Sequence, residues 1–215
     1  MQSMYRITCV VLVGGFATSA LAADPVTFTK ADLGKLPAGW TATQTGEGKG
    51  SSWKVVAEDS APSQSGFALA QTAAGPSALF NLCVRDGDAP ADLELAVKMK
   101  AIAGKLDQGG GLVWRYVDAN NYYVARFNPL EDNFRVYKVV AGKRIQLGTK
   151  EDLKLAGPWV TVGIRMKVTE IECSLNEEKY LSVKDDTFTK PGKVGLWTKA
   201  DAQTRFDQLT IQIVK

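Results

Sequence analysis

The 215-residue chain carries 26 basic and 23 acidic residues and no histidine. The missing histidine excludes Ser-His-Asp and Cys-His catalysis and histidine-based zinc sites. The near balance of charge argues against a nucleic-acid partner, which needs a basic stripe and a high domain pI.

At the N-terminus Arg6 supplies a short basic region, Ile7 to Phe16 an apolar run, and Ala20-Leu21-Ala22 the small residues of a cleavage site. This pattern predicts a secretion signal over residues 1–22. The run is too short to span a bilayer, which takes about 20 apolar residues, and no later stretch approaches that length. The mature chain, residues 23–215, is therefore expected to be one periplasmic or secreted domain, with no membrane attachment once the signal is removed. Without Arg6 the 26 basic residues become 25 against 23 acidic, so the net charge falls from +3 to +2.

Short strands and turns follow in order. Val26-Thr27-Phe28 suits an edge strand, and Lys35 to Ser52, rich in Gly, Thr and Lys, reads as loop. Trp53 to Val56 is a short strand. Phe67 to Thr72 and Ala78 to Val84 flank the turn Ala73-Ala74-Gly75-Pro76. Leu93, Leu95, Val97 and Met99 alternate with polar or small residues, as do Val160, Val162, Ile164, Met166 and Val168, the mark of half-buried strands. Ile171 to Leu175 and Tyr180 to Val183 form a hairpin across Asn176 to Lys179, and Val194 to Lys199 and Arg205 to Val214 close the chain. No stretch holds a 3.6-residue period, so a sandwich or barrel of short strands is expected.

The centre of the pattern is residues 109–140. Leu112 to Val117, Tyr122 to Asn128 and Asn133 to Val140 read as three antiparallel strands, joined by Asp118-Ala119-Asn120-Asn121 and by Pro129-Leu130-Glu131-Asp132. Four-residue loops pair Val117 with Tyr122, Arg115 with Val124 and Val113 with Arg126. Across the second turn they pair Asn128 with Asn133, Arg126 with Arg135 and Val124 with Tyr137. Alternation then sorts the meander into two faces. Leu112, Trp114, Tyr116, Tyr123, Ala125, Phe127, Phe134 and Val136 form a core face. Arg115, Tyr122, Arg126, Arg135 and Tyr137 share the other, expected to face solvent, with Glu131 and Asp132 at its rim. Trp114, Tyr123, Phe127, Phe134, Val162, Ile164 and Met166 are expected to be buried.

The run GGLVWRYVDANNYYVARFNPLEDNFRVYKV, with DDTFTKPGKVGLWTKADAQTRFDQLTI further on, resembles exported domains of the concanavalin A-like lectin/glucanase superfamily, in particular the 3-keto-disaccharide hydrolase-like or laminin-G-like group. The resemblance spans about Asp92 to the C-terminus. It implies an all-β, two-sheet antiparallel jelly-roll sandwich with a concave, sugar-facing sheet, and an oligo- or polysaccharide as partner. The Glu-x-Asp-x-x-Glu motif of retaining glucanases, which sets two carboxylates at close spacing, is absent.

The functional candidates follow from side-chain chemistry. Arginine forks match carboxylates, sulfates and vicinal hydroxyls, and aromatic rings stack on sugars. Arg115, Tyr122, Arg126, Arg135, Tyr137 and Trp197 are thus candidate ligand-binding residues. The alternative for the arginines is ion pairing with neighbouring strands, and for Trp197 a place in the core. Glu131 and Asp132 are candidate acid-base residues, set against a plain turn role. Asp185-Asp186 offers oxygens to a structural calcium, against turn formation; no other metal or cofactor is expected. Cys83 and Cys173 suit either a disulfide or buried free thiols. Three functions fit: a carbohydrate-binding domain, an enzyme cleaving glycosidic bonds through Glu131 or Asp132, and a protein-interaction sandwich.

Overall fold

The computed structural model describes residues 24–214; the expected secretion signal lies outside them. Two seven-stranded antiparallel sheets form a jelly-roll sandwich. The first sheet contains, in spatial order, β1 (Trp40–Thr45), β4 (Phe80–Arg85), β13 (Lys193–Lys199), β6 (Gly110–Asp118), β7 (Asn121–Asn128), β8 (Asn133–Val140) and β9 (Lys143–Lys150). The second runs β12 (Glu178–Lys184), β11 (Glu170–Leu175), β10 (Val160–Lys167), β5 (Leu93–Ala103), β14 (Gln203–Ile213), β3 (Phe67–Gln71) and β2 (Trp53–Ala57). All seven residues expected in the core are buried. They lie between the sheets in one cluster, where Trp114 stacks on Tyr123 at 5.4 Å and donates its indole N–H to the Met166 sulfur.

Two sequence expectations fail at the edges of the first sheet. Residues 40–45, read as loop, form β1, and β9 was not anticipated at all. Edge strands carry polar residues that keep their free side from pairing with other chains, so Trp-Thr-Ala-Thr-Gln-Thr and Lys-Arg-Ile-Gln-Leu-Gly-Thr-Lys lack a strong alternating signal. Val26 makes only an isolated bridge with Leu209. Cys83 and Cys173 are unbonded and buried, and burial pushes both thiols well above the usual range.

The β7–β8 register matches expectation, with Arg126 opposite Arg135 and Val124 opposite Tyr137. The β6–β7 register does not. Asp118 pairs with Asn121, in line with the expected frame, but an irregularity after Trp114 shifts the rest by two residues, so that Val113 faces Val124 and Gly111 faces Arg126. Arg115 sits inside this bulge at φ +44. Against β13 the offset is one residue, with Lys193 opposite Tyr116 but Gly195 opposite Val113, and a one-residue insertion reverses the local alternation of side chains. Tyr116 is accordingly moved off the core face and stacks on Tyr122, 6.1 Å away.

Candidate ligand-binding site

The bulge removes Arg115 from the site proposed for it. Its guanidinium is buried at the end of the sandwich and donates to the backbone oxygens of Ala91, Phe188 and Val168, with Asp92 at 3.4 Å. These bonds join β6 to three loops and leave the side chain no free donor surface, so Arg115 is a structural clamp.

The other candidates, Tyr122, Arg126, Arg135, Tyr137 and Trp197, do share the outer face of the first sheet. That face is not open to solvent as expected: Tyr122, Arg126, Tyr137 and Trp197 are all under 5% exposed. The reason is curvature. At about 4.8 Å per strand, β1 and β7 stand roughly 19 Å apart in a flat sheet, yet the Thr45 and Tyr122 hydroxyls meet at 2.8 Å. Likewise, Arg144 on edge strand β9 lies 5.0 Å from the ring of Phe80 on β4, five strands away. The sheet is therefore rolled, its outer face concave, and its two edges brought together over a second cluster that includes Leu82, Val113, Val124 and Val139.

Across the roll, Trp197, Gly111, Arg126 and Arg135 form one row on adjacent strands. Gly111 has to be glycine, because a Cβ there would lie 1.9 Å from the Ala125 carbonyl oxygen. Arg126 donates to Asn133 at 2.5 Å and to Glu131 at 2.8 Å. Partial burial alone would raise the Glu131 carboxyl, but the bonds from Arg126 and Asn133 and the charge of Arg135 hold it below the usual carboxylate range. Arg135, at the rim, is engaged by Thr149 and Glu151. Asp132 takes a left-handed φ of +50 and its carbonyl receives the Leu153 N–H, a turn-forming role.

Sequence reasoning missed Arg144, Asp107, Lys199 and Asn128. Arg144 lies over the rings of Tyr137, Phe80 and Trp197, at 4.5, 5.0 and 5.9 Å from their centroids. A signal for β9 existed: Ala141-Gly142, both at positive φ, is a two-residue hairpin turn followed by alternating Ile145 and Leu147. Asp107, fully buried, accepts the Gly109 N–H at 2.6 Å and stands 3.9 Å from the Lys199 ammonium. Burial raises its carboxyl above the usual value, against the opposing pull of Arg126 and Lys199. The loop carrying it is pinned by Asp201, which accepts the backbone N–H groups of Lys105, Leu106 and Asp107.

Buried polar atoms are normally hydrogen-bonded. The exceptions among the described residues are Asp107 Oδ2, Arg126 Nε, Asn128 Nδ2, Arg144 Nη1 and Trp197 Nε1. All five belong to the concave side of the first sheet or to the loop at its edge. The Trp197 N–H lies near the Tyr122 hydroxyl without meeting it at hydrogen-bonding geometry. Elsewhere the candidate groups are satisfied. Asp185 accepts from Tyr123, Lys138 and Thr187, which spends its oxygens on the fold rather than on a cation. Among the described residues no three His, Cys, Asp or Glu gather to hold a metal, and no helix is long and apolar enough to cross a membrane.

No family model and no curated protein sequence matches the chain. Solved structures do. The carbohydrate-binding module CBM66 from Bacillus subtilis superposes with a TM-score of 0.63 at 16% identity, over 81% of this chain and 95% of that one. A Bacillus subtilis protein of unknown function with a galectin-like fold gives 0.57 at 11% identity, over 81% and 89%. The GH43 protein BlXynB from Bacillus licheniformis gives 0.58 at 15%, over 85% of this chain but only 38% of its own length. At such identities the likeness is one of fold: a jelly-roll sandwich shared with distant carbohydrate-binding and glycosyl-hydrolase proteins.

Proposed function

We propose that the protein binds a carbohydrate on the concave side of its first sheet. The observation that carries this reading is the convergence of the unpaired buried polar groups on that one surface, among aromatic rings. Hydroxyl-rich ligands supply the partners such groups lack, and buried N–H groups without partners are costly. The names of two of the structural neighbours, a carbohydrate-binding module and a GH43 protein, point the same way. Arg126, Arg144, Asn128 and Trp197 are the contact residues, with Arg135 and Glu131 at the rim.

A glycan array probed with the chain tests the reading. Binding to at least one saccharide, lowered about tenfold or more by Asn128→Ala, is expected from losing one or two hydrogen bonds. Binding to no glycan would leave the protein-interaction alternative.

A second reading, glycosidic-bond cleavage, is favoured by one observation. Within the field of Arg126, the Glu131 carboxyl is held below its usual value and the Asp107 carboxyl above it, the division of a base from an acid. Turnover of a bound glycan that Glu131→Gln abolishes would establish it; binding without turnover would leave the first reading alone. Export, with cleavage after Ala22, remains part of the proposal on the strength of the N-terminal sequence.

A further inference from the structure

We infer that the ligand of this concave site is an anionic sugar residue, received by the Arg144 guanidinium; this rests on the carbohydrate-binding reading. Arg144 lies over three aromatic rings with Nη1 buried and unpaired. No carboxylate among the described residues is within ion-pair distance of it. The two carboxyl groups whose charge reaches it, Asp107 and Glu131, are engaged by Gly109 and by Arg126. A partly buried cation without a counter-charge is costly unless an anion arrives.

The unmet hydrogen-bonding capacity has the same sign. Arg126 Nε, Asn128 Nδ2, Arg144 Nη1 and Trp197 Nε1 are donors, against the single acceptor Asp107 Oδ2. The Asn128 orientation is set by its own Oδ1, which accepts the Leu130 N–H. A neutral hydroxyl brings a donor as well as acceptors, whereas a carboxylate or sulfate accepts only. Such a group also matches the flat fork of a guanidinium. With Arg144 above the Trp197 and Tyr137 rings, the ligand meets the guanidinium rather than a bare aromatic face.

The test is a titration of the full chain by calorimetry with paired glycans. Hexuronate oligosaccharides are compared with their neutral methyl esters, and sulfated oligosaccharides with their desulfated forms. The acidic member of a pair should bind about tenfold or more tightly than its neutral partner, and the gap should shrink as salt rises from about 0.05 to 0.5 M. Whether the uronate or the sulfate pair shows the gap identifies the anion. Arg144→Gln should close the gap, and Arg144→Lys, which keeps charge but not the fork, should restore part of it. Because the pairs are read on the unaltered protein, a variant that folds poorly does not decide the matter. Equal binding of acid and ester, or tighter binding of neutral glycans, overturns the inference while the carbohydrate-binding reading stands. Binding of no member of any pair also overturns the inference, and it overturns the carbohydrate-binding reading as well when the glycan array shows no bound saccharide.

Discussion

Arg126 and Arg115 lie eleven positions apart on neighbouring strands, and each is 2% exposed. They differ in what they hold. Arg115 satisfies three backbone carbonyls, so Arg115→Ala would strand buried acceptors. It should cost about 2–5 kcal/mol in a denaturant titration and leave glycan binding unchanged in whatever remains folded. Arg126 holds Asn133 and Glu131, and Glu131 is more than a third exposed, so solvent screens part of that pair. Arg126→Ala should therefore cost less, about 1–3 kcal/mol, and also weaken glycan binding. A melting temperature that falls further for Arg126→Ala than for Arg115→Ala, with binding intact, would reverse the two assignments. Alternation alone put both arginines on one face. Arg115 left it because a local irregularity of β6 changed the direction of one side chain, and nothing in Trp114-Arg115-Tyr116-Val117 signals an inserted residue.

At the scale of elements, β1 and β9 decide whether the concave side exists. The five inner strands of the first sheet show hydrophobic patterning, and all five are legible in the sequence within two residues at each end. The edges were not, because their polar residues report the solvent on their free side rather than the sheet they complete. With the edges missing, the expected site was a patch facing water. With them present, Thr45 reaches Tyr122 and Arg144 reaches Phe80, and the patch becomes an enclosed surface. The close approach of β6 and β7 at its centre depends on Gly111. Gly111→Ala places a methyl group against the Ala125 carbonyl and should destabilise the protein by about 3 kcal/mol or more, measured by thermal unfolding. An unchanged melting temperature would mean that β6 can move away from β7 at low cost.

The two sheets titrate as one molecule at low pH. Glu58 accepts from Ser60, Lys100 and Arg205, tying the segment after β2 to β5 and β14. Asp185 accepts from Tyr123 and Lys138, tying the segment after β12 to the first sheet. Burial works against both charges, but these bonds win, and each carboxyl is lowered to about 2. For an acid whose folded value lies below its unfolded one, the stabilisation is complete above the unfolded value. It is lost as pH falls through the folded value. Stability should therefore decline from about pH 4.5 and keep falling toward pH 2. Glu58→Gln should flatten part of that decline when unfolding is followed by circular dichroism across the range. An equally steep profile in the variant would show that Glu58 carries none of it.

By itself, the order of residues determined that the protein is a sandwich or barrel of short strands and which side chains fill its core; the family resemblance narrowed that to a two-sheet sandwich. Period-two alternation is a local property, written into each strand and independent of its partners. The β7–β8 register was legible for the same reason, since Pro129 to Asp132 is a loop of definite length between two unambiguous strands. Tertiary structure alone decided how the first sheet bends, because curvature arises where strands far apart in sequence meet. Residues 45, 80, 144 and 197 come together through the pairing order of seven strands, not through any pattern along one of them. The unpaired donors of the concave side became visible only then. Whether a buried N–H has found a partner depends on every neighbour the folded chain brings to it.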